Sequence, residues 1–489
     1  MAEASGTRGA LAALAWNYGG AVANTVIQLC YTAYTARTVS SSAFGVQATA
    51  LALLQVLTLF ANAGLTTCLL RSEELTRPML RAAWRVAAVS GTLSCLSVQA
   101  TASLCASAWH MPLMEPLLRI LGLQFLVLPA AAVCTAALRR SGLARASVAA
   151  DLGGQLGGLA TGAILLASGW NPYGIAAAFP VSSACTLLIG VGMLARARLV
   201  EGPRMPARSV IGISGAFAGY GLLQTIALNS PLWLVARFLG SGAAGQFSRA
   251  ALLVGIPLNL VCQSLHYAVT PALARAHGRG LPLGPRSRDF LIAASALAFI
   301  PFGVAAGVGP SALLLLLGPD WHTAASLVPL LALNAALYFL CSISYAIDEV
   351  RRAFGALLVP QVVLAIVVPL AVGTVTRSSG LALVPAAMAL GPAIGHLLQL
   401  LSWRRAGLIA LSPMLRVHLT HAAIGGTLFL AGRTGGQYGS GPLGSTVCGL
   451  VAVIPVAGAW YLVRRYVPAF TTAMERGLLT RPATAGSGS

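Results

Sequence analysis

Apolar residues in this chain come in long runs, most of them close to the ~20 residues a helix needs to cross a bilayer. They are separated by short polar, Gly or Pro segments. Fourteen such runs cover 11–35, 44–69, 86–108, 117–138, 147–168, 174–195, 210–235, 246–269, 290–317, 325–347, 354–375, 381–402, 417–432 and 444–463. The thirteenth is the shortest and carries His418 and His421, so the pattern alone also admits twelve or thirteen spans. Inside a bilayer no water satisfies the backbone, so each run must be a helix that bonds its own amides. The expected fold class is an all-α polytopic membrane protein with about fourteen transmembrane helices.

Composition supports this pattern and narrows the chemistry. The chain has 489 residues, 57% of them hydrophobic and 9% charged, against about 25% charged in an ordinary soluble domain. All 31 basic residues are arginine. Without lysine there is no P-loop of the GxxxxGK[ST] type and no Schiff-base lysine, so a nucleotide-driven pump with its site in this chain is excluded. No paired carboxylates, nucleophile elbow or HExxH sequence is present, so an enzyme reading has no residues to stand on. Cys30, Cys68, Cys95, Cys105, Cys134, Cys185, Cys262, Cys341 and Cys448 lie in apolar runs without a CxxC pair, which points to small packed residues and away from disulfides or a metal site. No cofactor is expected. The first residues, MAEASGTRGA, lead into an apolar run without an A-x-A-like cleavage site, so that run is read as a retained first span.

A net charge of +20 would suggest nucleic-acid binding in a soluble protein. Here the arginines follow the topology. With the N-terminus inside, the inner loops and termini hold Arg8, then Arg71, Arg77, Arg81 and Arg85, then Arg139, Arg140 and Arg145, then Arg196, Arg198, Arg204 and Arg208, then Arg275, Arg279, Arg286 and Arg288. Further along they hold Arg351 and Arg352, then Arg404, Arg405 and Arg416, and finally Arg464, Arg465, Arg476 and Arg481. The outer side receives only Arg37, Arg237, Arg377 and Arg433, while Arg119 and Arg249 fall within or at the edge of spans. This alternation predicts cytoplasmic termini and explains most of the charge without a nucleic-acid partner.

The chain also repeats itself. ARTVSSSAFGVQATA (36–50) aligns without a gap to ARFLGSGAAGQFSRA (236–250), with Arg37/Arg237, Ser41/Ser241 and Gly45/Gly245 among the identities. Each segment follows the first span of a six-span set, so the two halves insert in the same orientation. The expected organisation is an N-terminal lobe over 1–209 (spans 1–6), a second lobe over 210–403 (spans 7–12), and spans 13 and 14 with a cytoplasmic tail over 404–489.

These segments, with ALRRSGLARASVAADLGGQLGG (137–158) and LLGPDWHTAASLVPLLALNAALYF (316–339), resemble the Wzx-like polysaccharide and oligosaccharide flippase branch of the multidrug/oligosaccharidyl-lipid/polysaccharide exporter superfamily. The resemblance covers roughly the whole chain. It implies two six-helix lobes facing each other across a central cavity lined chiefly by spans 1, 2, 7 and 8. It also implies a polyprenyl-pyrophosphate-linked glycan as substrate and a prokaryotic plasma membrane as location. The same superfamily holds ion-coupled multidrug exporters and cell-wall lipid precursor flippases, and both remain alternatives at this stage.

On a helical wheel Asn17, Asn24, Gln28, Tyr31 and Thr35 of span 1 form one stripe, Gln55, Thr58 and Asn62 share a face of span 2, and Arg249, Asn259, Gln263 and His266 lie on one side of span 8. A further stripe, Asn334, Tyr338, Ser342 and Tyr345, reads as helix packing. Amides in a membrane can hold helices together or line a hydrated path. Arg37 and Arg237 suit either interfacial anchors or cavity residues, and Arg119 and Arg249 at bilayer depth favour the second. A guanidinium fork grips a pyrophosphate bidentately. The expected cavity set is Arg249, Arg37, Arg237, Arg119, Asn24, Gln28, Gln55, Asn62, Asn259, Gln263 and His266. Among the acids only Asp151 is expected inside a span, paired with Arg145, and the lack of any carboxylate in spans 1, 2, 7 and 8 disfavours cationic drugs as cargo. His418 and His421 are read as interfacial, and the GxxxG glycines Gly153, Gly154, Gly157 and Gly158 as a helix-packing motif. The expected partners are the bilayer and a lipid-linked anionic glycan, with a glycan polymerase and glycosyltransferases beside the protein.

Overall fold

The computed structural model describes residues 2–62, 64–71, 75–195, 201, 215–351 and 353–475. Sixteen α-helices are described: α1 (Ala2–Ala36), α2 (Ser41–Asn62), α3 (Leu65–Arg71), α4 (Arg77–Trp109), α5 (Met114–Gly122), α6 (Leu128–Arg140), α7 (Ala144–Ala167) and α8 (Tyr173–Leu194), followed by α9 (Gly215–Gly278), α10 (Leu283–Leu317), α11 (His322–Val350), α12 (Phe354–Ser378), α13 (Val384–Arg405), α14 (Leu411–Gly436), α15 (Gly441–Leu462) and α16 (Pro468–Glu475). Within the described residues all fourteen apolar runs lie mainly on helix, interrupted at Gly64 in the second and by a 3-10 turn over Leu123–Leu126 in the fourth. Ten segments are long and apolar enough to cross a membrane by length and composition alone. One of them, Gly219–Leu260, is 42 residues long and holds two predicted spans joined at Gly240, where φ is +85° and ψ is 176°. That left-handed, extended break costs glycine little and would strain any residue with a β-carbon. The helices α1, α7 and α14, which carry spans 1, 5 and 13, are not among the ten.

By packing the chain divides into two units, Met1–Ser248 and Arg249–Ser489. In the first unit a buried apolar cluster joins Leu65 and Leu69 of α3, Met79, Ala83 and Val86 of α4, and Val133, Ala137 and Leu138 of α6. The helix α4 starts sharply because Thr76 caps it: its hydroxyl accepts a bond from the Met79 amide, and a proline occupies the first turn, where its missing donor costs nothing. The GxxxG glycines of α7 meet α8. A β-carbon at Gly158 would overlap the Ala178 carbonyl, and one at Gly154 would overlap the Thr186 hydroxyl. In a membrane, where hydrophobic drive between helices is absent, such close backbone approach is the main source of association.

The acid of α7 has a different partner from the expected one. Asp151 pairs with Arg139, Nη2 to Oδ2 at 2.9 Å, and the Arg139 Nε also donates to Ser147 Oγ at 2.9 Å. Ser147 and Asp151 are one turn apart on one face, whereas Arg145 projects from the other side of α7 and lies 5.0 Å from the centre of the Trp16 ring on α1. The sequence reading counted proximity along the chain and missed the helical phase.

Within the same unit the two copies of the repeated segment touch. A β-carbon at Gly45 would overlap the Ser241 carbonyl, and one at Gly245 would overlap the Ser41 carbonyl. The contact is reciprocal between repeat mates, and it accounts for the recurring glycine, since the carbonyl of the other copy's serine leaves no room for a side chain at either position.

In the second unit α10 packs against α11, α14 and α15. A seam of small residues again allows the approach: a β-carbon at Gly303 would overlap the Gly425 carbonyl, and one at Gly425 the Phe299 carbonyl. Between α10 and α11 the chain reverses at Gly318 (φ +105°) and a 3-10 turn over Pro319–Trp321, whose Trp321 ring is 2% exposed and plugs the corner. The helix α14 is longer than its apolar run, and it overturns one expectation. His418 and His421 are buried, not interfacial. Because α14 begins at Leu411, both histidines lie two to three turns inside the helix.

Adjacent glycines of α14 should respond oppositely to alanine. Gly426 has open space where a β-carbon would stand, so Gly426→Ala should leave stability unchanged or raise it by about 0.5–1 kcal/mol through lost backbone entropy. Gly425→Ala must push α10 and α14 apart, and it should lower the thermal unfolding midpoint of the detergent-solubilised chain. Equal midpoints for the two variants would contradict the seam. By the same measure Gly45→Val should destabilise clearly, whereas Gly255→Val, at a glycine with nothing within 4 Å, should be neutral or slightly stabilising, since valine is the better helix former.

Candidate functional site

The predicted cavity residues are placed unit by unit. In the first unit Asn24 and Gln28 are half-buried on α1, and the stripe they belong to continues into protein: Thr35 is buried with its hydroxyl bonded to the Tyr31 carbonyl (2.8 Å), and the Tyr31 hydroxyl lies against Gly162 of α7. Part of this stripe is therefore helix packing. The side chain of Asn17 lies outside the described residues. On α2, Gln55 is exposed, Asn62 is half-buried, and Thr58 returns its hydroxyl to the Leu54 carbonyl at 2.9 Å. Gln55 is thus an exposed amide partway along a helix whose first half is largely buried.

Arg37, just beyond the end of α1, and Arg237, just before the Gly240 break in α9, are both exposed. They occupy equivalent places in the two repeats. Arg119 on α5 is exposed and salt-bridged to Glu115 one turn earlier, at 2.6 Å, while its carbonyl accepts the Gln99 amide at 3.0 Å. An exposed pair of this kind is worth little energetically, but it offsets the charge locally. Arg119 thus carries its own carboxylate partner, which makes it a poor fit for an anion site.

In the second unit Arg249 is half-buried on α9 and Asn259 is exposed on the same helix. The side chains of Gln263 and His266 lie outside the described residues. The repeat makes Arg249 distinctive. Its mate, Thr49, is fully buried and spends its hydroxyl on the Gly45 carbonyl at 2.7 Å. One half of the repeat thus places a small self-satisfied residue where the other places a guanidinium. Over the whole of α9 there is no aspartate or glutamate to neutralise it.

The sequence reading missed one buried acid. Asp348 sits in the last turn of α11, one residue past the predicted end of span 10, and is fully buried. Its Oδ1 accepts from the Arg351 guanidinium at 2.9 Å and from the Trp403 indole at 2.8 Å. The neighbouring Glu349 and Arg351 made this stretch look like a solvated loop. Near it three histidines, His396, His418 and His421, form a buried chain with serines 295 and 344. A separate cleft between α10, α11 and α14 is lined by Phe299, Phe302, Pro329, Leu333, Gly426 and Phe429 and is apolar, and none of the expected cavity residues belongs to it.

Comparison with known proteins places this arrangement. A family model described as polysaccharide biosynthesis protein matches residues 35–326, which runs from the end of α1 into α11. No curated protein sequence matches the chain. Among solved structures, the lipid II flippase MurJ in an inward closed conformation superposes with a TM-score of 0.74 at 11% identity, covering 94% of this chain and 98% of that one. An inward-facing multidrug resistance transporter of the MATE family, from the MOP superfamily, superposes with a TM-score of 0.64 at 14% identity, covering 80% of this chain and 96% of that one. At these identities the likeness is one of fold, and the fold is that of polytopic membrane transporters. With the family model spanning more than half its length, the chain belongs to the polysaccharide biosynthesis protein family.

Proposed function

We propose that the chain carries a polyprenyl-pyrophosphate-linked oligosaccharide across the plasma membrane of a prokaryote by alternating access, delivering it to polysaccharide assembly on the outer face. One observation carries this reading: α9 holds Arg237, Arg249 and Arg275 without a single acid, and spans 1 and 2 likewise hold none. Pyrophosphate bears several negative charges, and guanidinium forks bind it bidentately where water is partly excluded. A carrier of cationic drugs would need the opposite lining. The exposed amides Gln55 and Asn259 supply hydrogen bonds of the scattered, adaptable kind that a bulky glycan requires. On this reading both termini are cytoplasmic, and a glycan polymerase and glycosyltransferases act on the same lipid-linked unit.

The test is a strain whose surface glycan depends on this gene. Its deletion should leave lipid-linked repeat units on the cytoplasmic face, and unchanged surface glycan would overturn the reading. In complementation, Arg249→Gln should reduce export at least tenfold at matched protein level, the loss expected when a charge-assisted bidentate contact worth about 1.5–3 kcal/mol is removed. Arg249→Lys should restore export only in part, because it keeps the charge and loses the fork. Arg237→Gln should cause a milder loss. Full export by Arg249→Gln would remove Arg249 from the site while leaving the transport reading to the deletion experiment.

A further inference from the structure

The most concentrated polar chemistry in the second unit lies away from every residue used above. His396 on α13 and His418 on α14 approach Nε2 to Nε2 at 3.2 Å. His418 Nδ1 is 2.8 Å from Ser295 Oγ on α10, and His421 Nδ1 is 3.0 Å from the same oxygen. At the other end His396 Nδ1 is 3.5 Å from Ser344 Oγ on α11. All five side chains are at least nine-tenths buried. Asp348 follows Ser344 by one turn of α11, about 6 Å along the axis, and its Oδ2, like His421 Nε2, has no hydrogen-bonding partner among the described residues.

Proton arithmetic restricts what this chain can be. A neutral imidazole has one N–H and one acceptor nitrogen, and a serine hydroxyl has one proton to give. Ser295 can donate to only one of its two rings and must accept from the other, and the His396–His418 bond likewise needs one donor and one acceptor. Two neutral arrangements satisfy every contact. In the first, His421 Nδ1–H donates to Ser295, Ser295 to His418 Nδ1, His418 Nε2–H to His396 Nε2, and His396 Nδ1–H to Ser344, leaving His421 Nε2 as a bare acceptor. In the second every donor is reversed, and His421 Nε2 carries the hydrogen.

We infer that this array is a proton relay between the buried depth of α14 and the Asp348 end of α11. A proton taken up at His421 Nε2 releases Nδ1–H to Ser295, which gives its own proton to His418 Nδ1. His418 passes Nε2–H to His396 Nε2, and His396 releases Nδ1–H to Ser344, which gives up its own hydroxyl proton towards the Asp348 carboxylate one turn away, where Oδ2 accepts it and the acid then releases it. One proton enters, one leaves, and the first arrangement becomes the second. A proton passing the other way restores it. The charged groups around the relay are Asp348 and Arg351 at its outer end and Arg288 of α10, which with Met414 and Val417 of α14 lines a small cleft. Cys341 of α11 is committed to the Pro392 carbonyl at 3.1 Å, and Gln399 follows His396 on α13. No arginine touches the imidazoles in any contact described, so the path itself stays uncharged at rest. The inference rests on the transport reading only for what the proton movement drives.

The test uses the full chain in liposomes of phosphatidylethanolamine and phosphatidylglycerol loaded with a pH-sensitive dye, with and without a polyprenyl-pyrophosphate oligosaccharide, under an inside-negative potassium diffusion potential. In at least one of the two lipid mixtures, proton uptake should exceed that of protein-free liposomes about fivefold or more, as expected of histidine acting as a shuttle. Ser295→Ala should bring it back to within about twofold of the protein-free rate, since it removes the hydroxyl both rings share, while Ser295→Thr should retain at least about half. His418→Gln should behave like Ser295→Ala. A purely structural serine would change the amount of folded protein and not the uptake per folded molecule, so size-exclusion-monodisperse protein is compared at equal density. Uptake at the protein-free level in both mixtures, or unaltered uptake in Ser295→Ala, overturns the relay. Glycan translocation followed in the same vesicles separates the two readings: translocation without proton uptake removes the relay alone, and uptake without translocation removes the flippase alone.

Discussion

Backbone-to-backbone contact between helices, made possible by glycine, is the constraint on which this structure rests. Lipid is as apolar as leucine, so burying apolar side chains gains little here and van der Waals fit must supply the cohesion. Three places show the same solution. The helix α7 meets α8 through Gly154 and Gly158, α10 meets α14 through Gly303 and Gly425, and the two repeated segments meet through Gly45 and Gly245. At each, a single methyl group would collide with a carbonyl oxygen or a hydroxyl. The third contact differs because its members are repeat mates, each touching the serine of the other copy. A contact built of backbone and hydroxyl, without interlocking large side chains, is also one that two helices can leave and re-form at modest cost.

Charge is handled with similar economy. Arginine gathers at helix ends, where its stem can reach through the interface. The half-exposed Asp151 is tied down by Arg139, and the fully buried Asp348 by Arg351 and Trp403. Breaking such a pair would leave an uncompensated ion in a medium of low polarity, which is far costlier than the pair is stabilising. The acid-free α9 stands out against this background. Its arginines have no carboxylate on their own helix.

The two polar systems of the protein are distinct in kind. The amides and arginines of α1, α2 and α9 are exposed or half-buried, spread along helices, and suited to a large cargo with many weak contacts. The histidine–serine chain of α10, α11, α13 and α14 is almost wholly buried and close-spaced, and suits a ligand no larger than a proton. A neutral imidazole chain is also one of the few polar structures a membrane interior tolerates, since the His396 and His418 rings each give and accept a bond.

Much of the architecture was legible from the chain. The period and length of the apolar runs are set by bilayer thickness, so all fourteen could be placed. Even the repeat could be found, because a close contact tolerates only glycine and so leaves identities behind. The motif GPDW announced its corner, since only glycine takes the φ at Gly318 readily and a large ring is needed to fill the turn. Helical phase and neighbour identity could not be read in this way. Asp151 chose Arg139 over Arg145 because the side of α7 that faces α6 is settled by the α7–α8 seam. The stripe on α1 is partly packing because Gly162 leaves room for Tyr31. His418 and His421 are buried because α14 starts earlier than its apolar run, and their link to Ser295 spans more than a hundred residues. Sequence thus determined where the helices are and which residue types they carry, because those follow from local chemistry against a uniform solvent. Only the tertiary structure decided which polar groups face one another, because that depends on the rotation of each helix about its axis, which is set by contacts with residues far away in the chain.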